Sequence, residues 1–347
     1  MNKLLFAAPF LLVLLIGIAS ASTPTLPSGI QYYVPINITN SQSTATPAPF
    51  QQMVNLSESN ATYGTHIVYS GSTANFEYFY TNGTTIPSWI ESNSSGKLIT
   101  WVKTISIPAS SHIQIYLGFA SKTTNLLSSS GTSGIGEAPQ LSSTYAEYDD
   151  GASVFNFYDN FAGTTLPSGW APSSSLTASV NNGVTLTSSG SSQYLGYSSA
   201  LTSPFIFEIY GKVTTAQTTS YSNLLAMIGS SLGASGITDW AGEAYSSGYV
   251  LGYGIGGTGS HSSTTWSTGT FYLNGVGLTS SGVSDYVNYN LLGSSTSSGG
   301  LSSAYLEIWQ DTSTTFIQYV RTRAYPPQRR NAQRNLRCCA SSSKSFY

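Results

Sequence analysis

The 347-residue chain is poor in charge, with 7% Asp, Glu, Lys and Arg against 13% Phe, Trp and Tyr. From Ser22 to Val320 it carries four lysines, no arginine and fourteen carboxylates, a formal charge of −10, so the body lacks the clustered basic side chains on which DNA or RNA binding rests. Frequent β-branched and aromatic residues argue against disorder; with the Ser, Thr and Gly between them they indicate an all-β exported protein. So few ionisable groups also predict weak linkage between pH and stability.

In chain order, Lys3 precedes an apolar run from Leu4 to Ile18 and then Ala19-Ser20-Ala21, the order of a secretory signal over residues 1–21. A retained anchor is the alternative, but the run falls short of the ~20 residues a span needs. Membrane contact is expected only through this segment, and the mature chain has room for two domains.

The first domain is expected over 29–122. Asn82-Gly83 supplies a turn between two aromatic or β-branched segments, and Ile105-Ser106-Ile107 and His112–Tyr116 alternate as half-buried strands do. Asn75–Thr84, Ile86-Pro87-Ser88-Trp89-Ile90-Glu91, Trp101-Val102-Lys103 and Ile113–Phe119 together resemble the domain of unknown function 2341 of archaeal and bacterial surface proteins. The resemblance implies a cell-surface location and names no reaction. Asn37, Asn55, Asn60, Asn82 and Asn93 each begin N-x-S/T; all but Asn82, which the turn requires, are candidate glycosylation sites.

Residues 123–144, with Ser128–Gly134 at their centre, have the composition of a flexible linker. A second domain follows over 145–325. Candidate strands recur between turn-forming clusters at 183–187, 205–213, 224–229, 249–253, 271–273, 286–292, 304–310 and 315–320, the pattern of an antiparallel jelly-roll sandwich. Its opening, Phe157-Tyr158-Asp159-Asn160-Phe161 and Leu166–Trp170, and its close, Ser303–Trp309 and Phe316–Arg323, loosely resemble the concanavalin-like lectin and laminin-G sandwiches. That resemblance implies glycan or protein binding, often with calcium.

Strand alternation places Leu306 and Ile308 on one face and Tyr305, Glu307, Trp309 and Asp311 on the other. An exposed indole beside carboxylates suits sugar binding, so these four are the candidate ligand residues; packing of Trp309 under a loop is the competing reading. Glu307 and Asp311, four residues apart on a strand, lie ~13 Å apart, too far for either glycosidase geometry. Asp149, Asp150 and Asp159 form an acidic cluster that either holds calcium or caps turns. Gly252–Gly257 matches G-x-G-x-x-G, but no helix follows. His66, His112 and His261 are scattered, without zinc-ligand spacing. No catalytic constellation is found and the reading is non-enzymatic.

Seven of the twelve basic residues, beginning with Arg321 and Arg323, crowd into the last 27 positions, with the adjacent Cys338 and Cys339. Residues 326–347 read as a basic tail, either binding an acidic partner or lying outside the natural reading frame. The sequence thus predicts an archaeal cell-surface protein that binds glycan or an envelope protein through its second domain. A polysaccharide hydrolase or lyase and a structural envelope subunit are the alternatives.

Overall fold

A computed structural model of the protein describes residues 23–71, 73–219, 221–233, 238–326 and 338–339. The expected signal segment, and the tail apart from Pro326 and Cys338–Cys339, lie outside the described residues. Among the described residues, no helix is long and apolar enough to cross a membrane.

Seven strands build the first sandwich: Tyr32–Asn40 (β1), Phe50–Ser57 (β2), Phe76–Phe79 (β3), Ser88–Ser94 (β4), Lys97–Thr104 (β5), Ser111–Phe119 (β6) and Gly136–Glu137 (β7). They form two sheets, β1-β6-β3, joined at its edge by the backbone of Cys338–Cys339, and β2-β5-β4-β7. Alternation decides what lies between them. Ile36, Ile38, Val54, Ile90, Leu98, Val102, Ile115 and Leu117 meet in the core, while Trp89, Glu91, Trp101 and Lys103, at the intervening positions of β4 and β5, point away from it.

Gly83 takes φ +84°, and Tyr80 and Thr84 close the expected turn through a 2.9 Å N–H···O bond. The flanking strands then part company, for β3 pairs with β6 and β4 with β5, so this turn carries the chain from one sheet to the other. The expected linker is not a free coil. Gly136–Glu137 pairs in parallel with Trp89–Ile90. The Gly134 amide donates to Glu77 at 2.7 Å, and Tyr69 and Ser142 donate to the buried Glu137 carboxylate at 2.6 and 2.7 Å.

After one helical turn at Gly151–Val154 (α1), the second sandwich runs Phe157–Asp159 (β8), Trp170–Pro172 (β9), Leu176–Val180 (β10), Val184–Ser188 (β11), Gln193–Tyr197 (β12), Leu201–Thr202 (β13), Phe205–Thr215 (β14) and Ser222–Gly229 (β15). Thr238–Tyr245 (β16), Tyr249–Ile255 (β17), Thr258–Thr265 (β18), Tyr272–Thr279 (β19), Gly282–Val287 (β20), Asn290–Ser295 (β21), Ser303–Gln310 (β22) and Thr314–Ala324 (β23) complete it. One sheet is ordered β10-β11-β23-β14-β19-β20-β21 and the other β18-β17-β16-β15-β22-β12-β9. The all-β, antiparallel sandwich expectation holds. The single strand expected at 286–292 is two, because Asn288 and Tyr289 take φ +48° and +65° and turn the chain. Strands β10, β12, β16 and β18 were not among those expected: β16, for one, carries Asp239 and Glu243 between its aromatic and small residues, and β18 is Ser/Thr with one glycine and one histidine.

Phe205, Phe207, Ile209 and Val213 of β14 meet Leu224, Ala226, Ile228, Leu306 and Ile308 of the facing sheet in one apolar core. The alternate residues of β14, Glu208 and Tyr210, face the first sandwich together with their register partners on β23, Arg321 and Tyr319.

Candidate functional site

The face opposite that core, on the β12-β22-β15-β16 sheet, is where the predicted ligand residues fall. Two adjacent cross-strand rows run over it: Tyr194, Trp309 and Leu225, and beside them Glu307, Met227 and Trp240. Leu306 and Ile308 point into the core, as alternation predicts. The opposite face, however, is not open. Trp309 is only 6% exposed and stacks on Tyr194, rings 6.0 Å apart and 8° from parallel. Tyr305 is half-buried. Asp311 accepts the amides of Ser192 (2.6 Å) and Ser222 (3.0 Å), a tie between strand ends.

Glu307 is wholly buried. Its Oε1 accepts the Gly233 amide at 3.1 Å, from the connection after β15, and its Oε2 has no partner. Burial pushes its carboxyl up to about 7, against the pull of the Gly233 N–H.

Trp240, 7% exposed, was not foreseen as part of this face. It lies flat because the strands beside it carry glycine: a Cβ on Gly254 would come within 2.1 Å of its indole, and one on Gly259 within 3.1 Å. Tyr221 packs edge-on against it (5.3 Å, 69°) and its hydroxyl donates to Ser260 O at 2.6 Å. The G-x-G-x-x-G run therefore serves packing: Gly254 seats an indole, while Gly256 and Gly257, at φ +59° and +81°, make the β17–β18 turn. Gly254→Ala should lower stability by about 1–3 kcal/mol, the cost of overpacking. Urea unfolding checks it; an unchanged midpoint would mean that Trp240 does not lie on this glycine.

The three aspartates proposed for calcium do not converge on an ion site. Asp149 Oδ1 accepts from Trp89 Nε1 (2.8 Å) and the Gly151 amide (3.0 Å), and Oδ2 from the Tyr158 hydroxyl (2.6 Å) and Asn160 Nδ2 (2.7 Å). Asp159 accepts from the Phe161 amide and Trp170 Nε1. Among the described residues, no group of three or more His, Cys, Asp or Glu is placed to hold a metal. Calcium does not fit Asp149, whose lone pairs are spent on protein donors. Of the sequon asparagines, Asn55 and Asn93 are exposed and Asn37 and Asn60 half-buried.

A second cluster, between the sandwiches, was missed by sequence reasoning. Arg321, the first of the basic residues crowded into the last 27 positions, lies on β23 within the second sandwich, entirely buried. Its Nε donates to Glu208 Oε2 at 2.7 Å, its Nη2 to the Tyr289 hydroxyl at 2.9 Å, and its Nη1 lies 2.9 Å from Glu91 Oε2 without the alignment of a hydrogen bond. Arg323 pairs with the other Glu208 oxygen at 2.9 Å. Trp101 and Tyr289 both donate to Glu91, each at 2.6 Å. The guanidinium of Arg321 sits over the rings of Phe155 (4.6 Å) and Trp101 (4.8 Å). Burial alone would raise the Glu208 carboxyl; Arg323 and Arg321 reverse this and hold it below the usual range. Lys103 Nζ donates to Ser153 O at 2.8 Å across the same junction. The outward residues of Trp89-Ile90-Glu91 and Trp101-Val102-Lys103 are thus a docking face for the second sandwich.

No family model matches the chain, so none stands behind the resemblance of residues 75–119 to the domain of unknown function 2341. Uncharacterized protein 562 of Sulfolobus islandicus rod-shaped virus 1 is 38% identical over 131 residues, 36% of this chain and 21% of that protein. The chain thus spans about a fifth of the length of this curated relative. Solved structures similar to it include a laminarinase from Flavobacterium sp. UMI-01 (11% identity, 49% of this chain and 99% of that one, TM-score 0.39). Others are the catalytic domain of an endo-1,3-β-glucanase from Thermotoga petrophila (10%, 50% and 98%, 0.38) and the carbohydrate-binding module CBM66 from Bacillus subtilis (14%, 49% and 97%, 0.33). At TM-scores below 0.5 these likenesses carry no activity over to this chain.

Proposed function

We propose that the protein is an exported cell-surface protein that binds glycan, without cleaving it, at the margin of the Trp309 face, where Tyr194 and Tyr305 are half-buried. The observation that carries this reading is a stacked aromatic pair at the sheet surface: Tyr194 lies on Trp309, with Met227 and Trp240 beside them, around Glu307, the one carboxyl among these residues. The half-buried Tyr194 and Tyr305 rings at the margin of this face supply stacking surface for a pyranose. Glycoside hydrolysis needs a second carboxyl ~5–9.5 Å away. Asp239, opposite Ile228 in the register, turns to the other side of the sheet, and Asp311 is engaged by two amides.

Export rests on the signal reading of residues 1–21, and surface display on the resemblance of residues 75–119. The first sandwich, in this account, holds the second in a fixed orientation through Glu91 and Arg321. Glycosylation at Asn37, Asn55, Asn60 or Asn93 fits the same location.

A hydrolase is the second reading, favoured by one observation: a carboxyl raised to about 7 suits a general acid. Depletion of the protein by insoluble polysaccharides, with reducing ends counted in parallel, separates the two. Binding without new reducing ends is expected, and Tyr305→Ala should weaken it by roughly 1–3 kcal/mol. Because Trp309 packs as a core residue does, its truncation would confound affinity with folding, whereas Tyr305 is half-buried. New reducing ends that vanish in Glu307→Gln at unchanged affinity would establish the enzyme instead.

A further inference from the structure

On the sheet that contains β10, β11, β23 and β14, the outer face turns Glu208, Tyr210, Tyr319 and Arg321 toward the first sandwich. Past Tyr210 it meets solvent, with Thr187 and Thr214 exposed. There a cross-strand row runs Ser179, Thr185, Phe316 and Lys212, on the side of the pleat opposite to Val184, Val213 and Ile317 of the core. Ser179 is exposed and the other three are half-buried. The half-buried Phe271 ring, just before β19, extends the row: the Lys212 ammonium sits 4.6 Å from its centroid and 5.9 Å from that of Phe316. Phe316 itself rests on Gly183, where a Cβ would come within 2.5 Å of the ring. Among the described residues after 140, the cationic side chains are Lys212, Arg321 and Arg323. The two arginines are engaged by Glu208 and Glu91, and Glu208 is the one carboxylate that β10, β11, β14 and β23 contribute. Lys212 is therefore the unspent charge of this face.

We infer that this row is a second glycan site, on the sheet opposite the Trp309 face, for an acidic polysaccharide whose sugars carry carboxylate or sulfate groups. It goes beyond the reading of the Trp309 margin and does not depend on it. The partly accessible Phe316 and Phe271 rings offer apolar surface to a sugar ring, and the hydroxyls of Ser179 and Thr185 both donate and accept. The ammonium is a compact charge with three donors, which suits either anion. With no carboxylate of its own sheet to pair with, it favours a ligand that brings one. From β10 to β14 the row covers three strand spacings, about 14 Å, the reach of a short oligosaccharide rather than of a single sugar.

The basic residues near the C-terminus also attract anions, so the test uses the full chain carrying Arg329→Gln, Arg330→Gln, Arg334→Gln, Arg337→Gln and Lys344→Gln. Isothermal titration compares an oligogalacturonate, its carboxyl-reduced neutral counterpart and a sulfated galactan oligosaccharide. At least one acidic oligosaccharide is expected to bind tenfold or more tightly than the neutral one, with an affinity that added salt weakens. Adding Lys212→Gln should abolish that margin and Lys212→Arg should keep most of it, whereas Tyr305→Ala, on the other sheet, should leave it unchanged. Acidic binding that survives Lys212→Gln, that falls with Tyr305→Ala, or that appears only when the five C-terminal basic residues are restored would overturn the inference. So would the absence of any preference for the acidic oligosaccharides. None of these results touches glycan binding at the Trp309 margin, which the polysaccharide depletion assay tests separately.

Discussion

Replacing Arg321 with methionine is expected to lower the stability of the protein by about 3–5 kcal/mol, the cost of removing one partner from a buried ion pair. The guanidinium neutralises Glu91 of the first sandwich and shares Glu208 of the second with Arg323. Without it, Glu91 remains buried with only the neutral donors Trp101 and Tyr289, and the Phe155 ring loses its cation. Urea unfolding followed by tryptophan fluorescence reads this directly, since Trp89 and Trp101 stand at the junction. Adding Glu91→Gln to the Arg321→Met variant should recover most of the loss, because no charge is then left unpaired on the first sandwich. A loss below about 1 kcal/mol would show that the network contributes no more than a surface pair.

Raising the pH from 5 to 8 should lower the thermal midpoint by at least several degrees, since each unit of raised pKa crossed costs ~1.4 kcal/mol and each kcal/mol is worth a few degrees. Burial is the leading cause in each contributing group. It pushes Glu243 up to about 8, Glu307 to about 7 and Asp239 to about 6, and Asp285 well above the carboxylate range. Each keeps an oxygen without a hydrogen-bond partner, and Asp285 keeps two. Between the unfolded carboxylate value near 4 and these raised values, the folded protein holds protons that the unfolded chain has released. Stability from these groups is therefore complete in acid and is lost as the pH climbs through about 6 to 8. Glu208 works in the opposite sense: its lowered value contributes stability above the usual carboxylate range, lost only as the pH falls through that lowered value. The midpoint should therefore be greatest in mild acid, and Glu243→Gln should flatten the upper part of the profile. A midpoint that is level or rises from pH 5 to 8 would defeat the prediction. Low charge content suggested weak pH linkage; four nearly unpaired buried carboxyls predict the reverse.

Local periodicity was legible in the sequence. The alternation of Leu306 and Ile308 with Glu307 and Trp309, the turn at Asn82-Gly83 and the all-β class each depend on neighbours a few residues apart, and each appears in the structure. What the second face of β22 meets was decided elsewhere, by Tyr194, Gly233, Trp240 and Tyr221 from other strands and connections, so burial of Trp309 and Glu307 could not be read along the strand. Arg321 is the sharpest case. In sequence it opens a basic stretch, but the register of β23 sets it opposite Glu208, 113 residues earlier, and packing of the two sandwiches brings Glu91 against it. Asp149 likewise looked free for a cation until Trp89, Tyr158 and Asn160 converged on it. Periodicity is written by steric preferences within one strand, whereas the partner of a charge is set by which strands pair and which faces meet, and that information lies in contacts far apart in the chain.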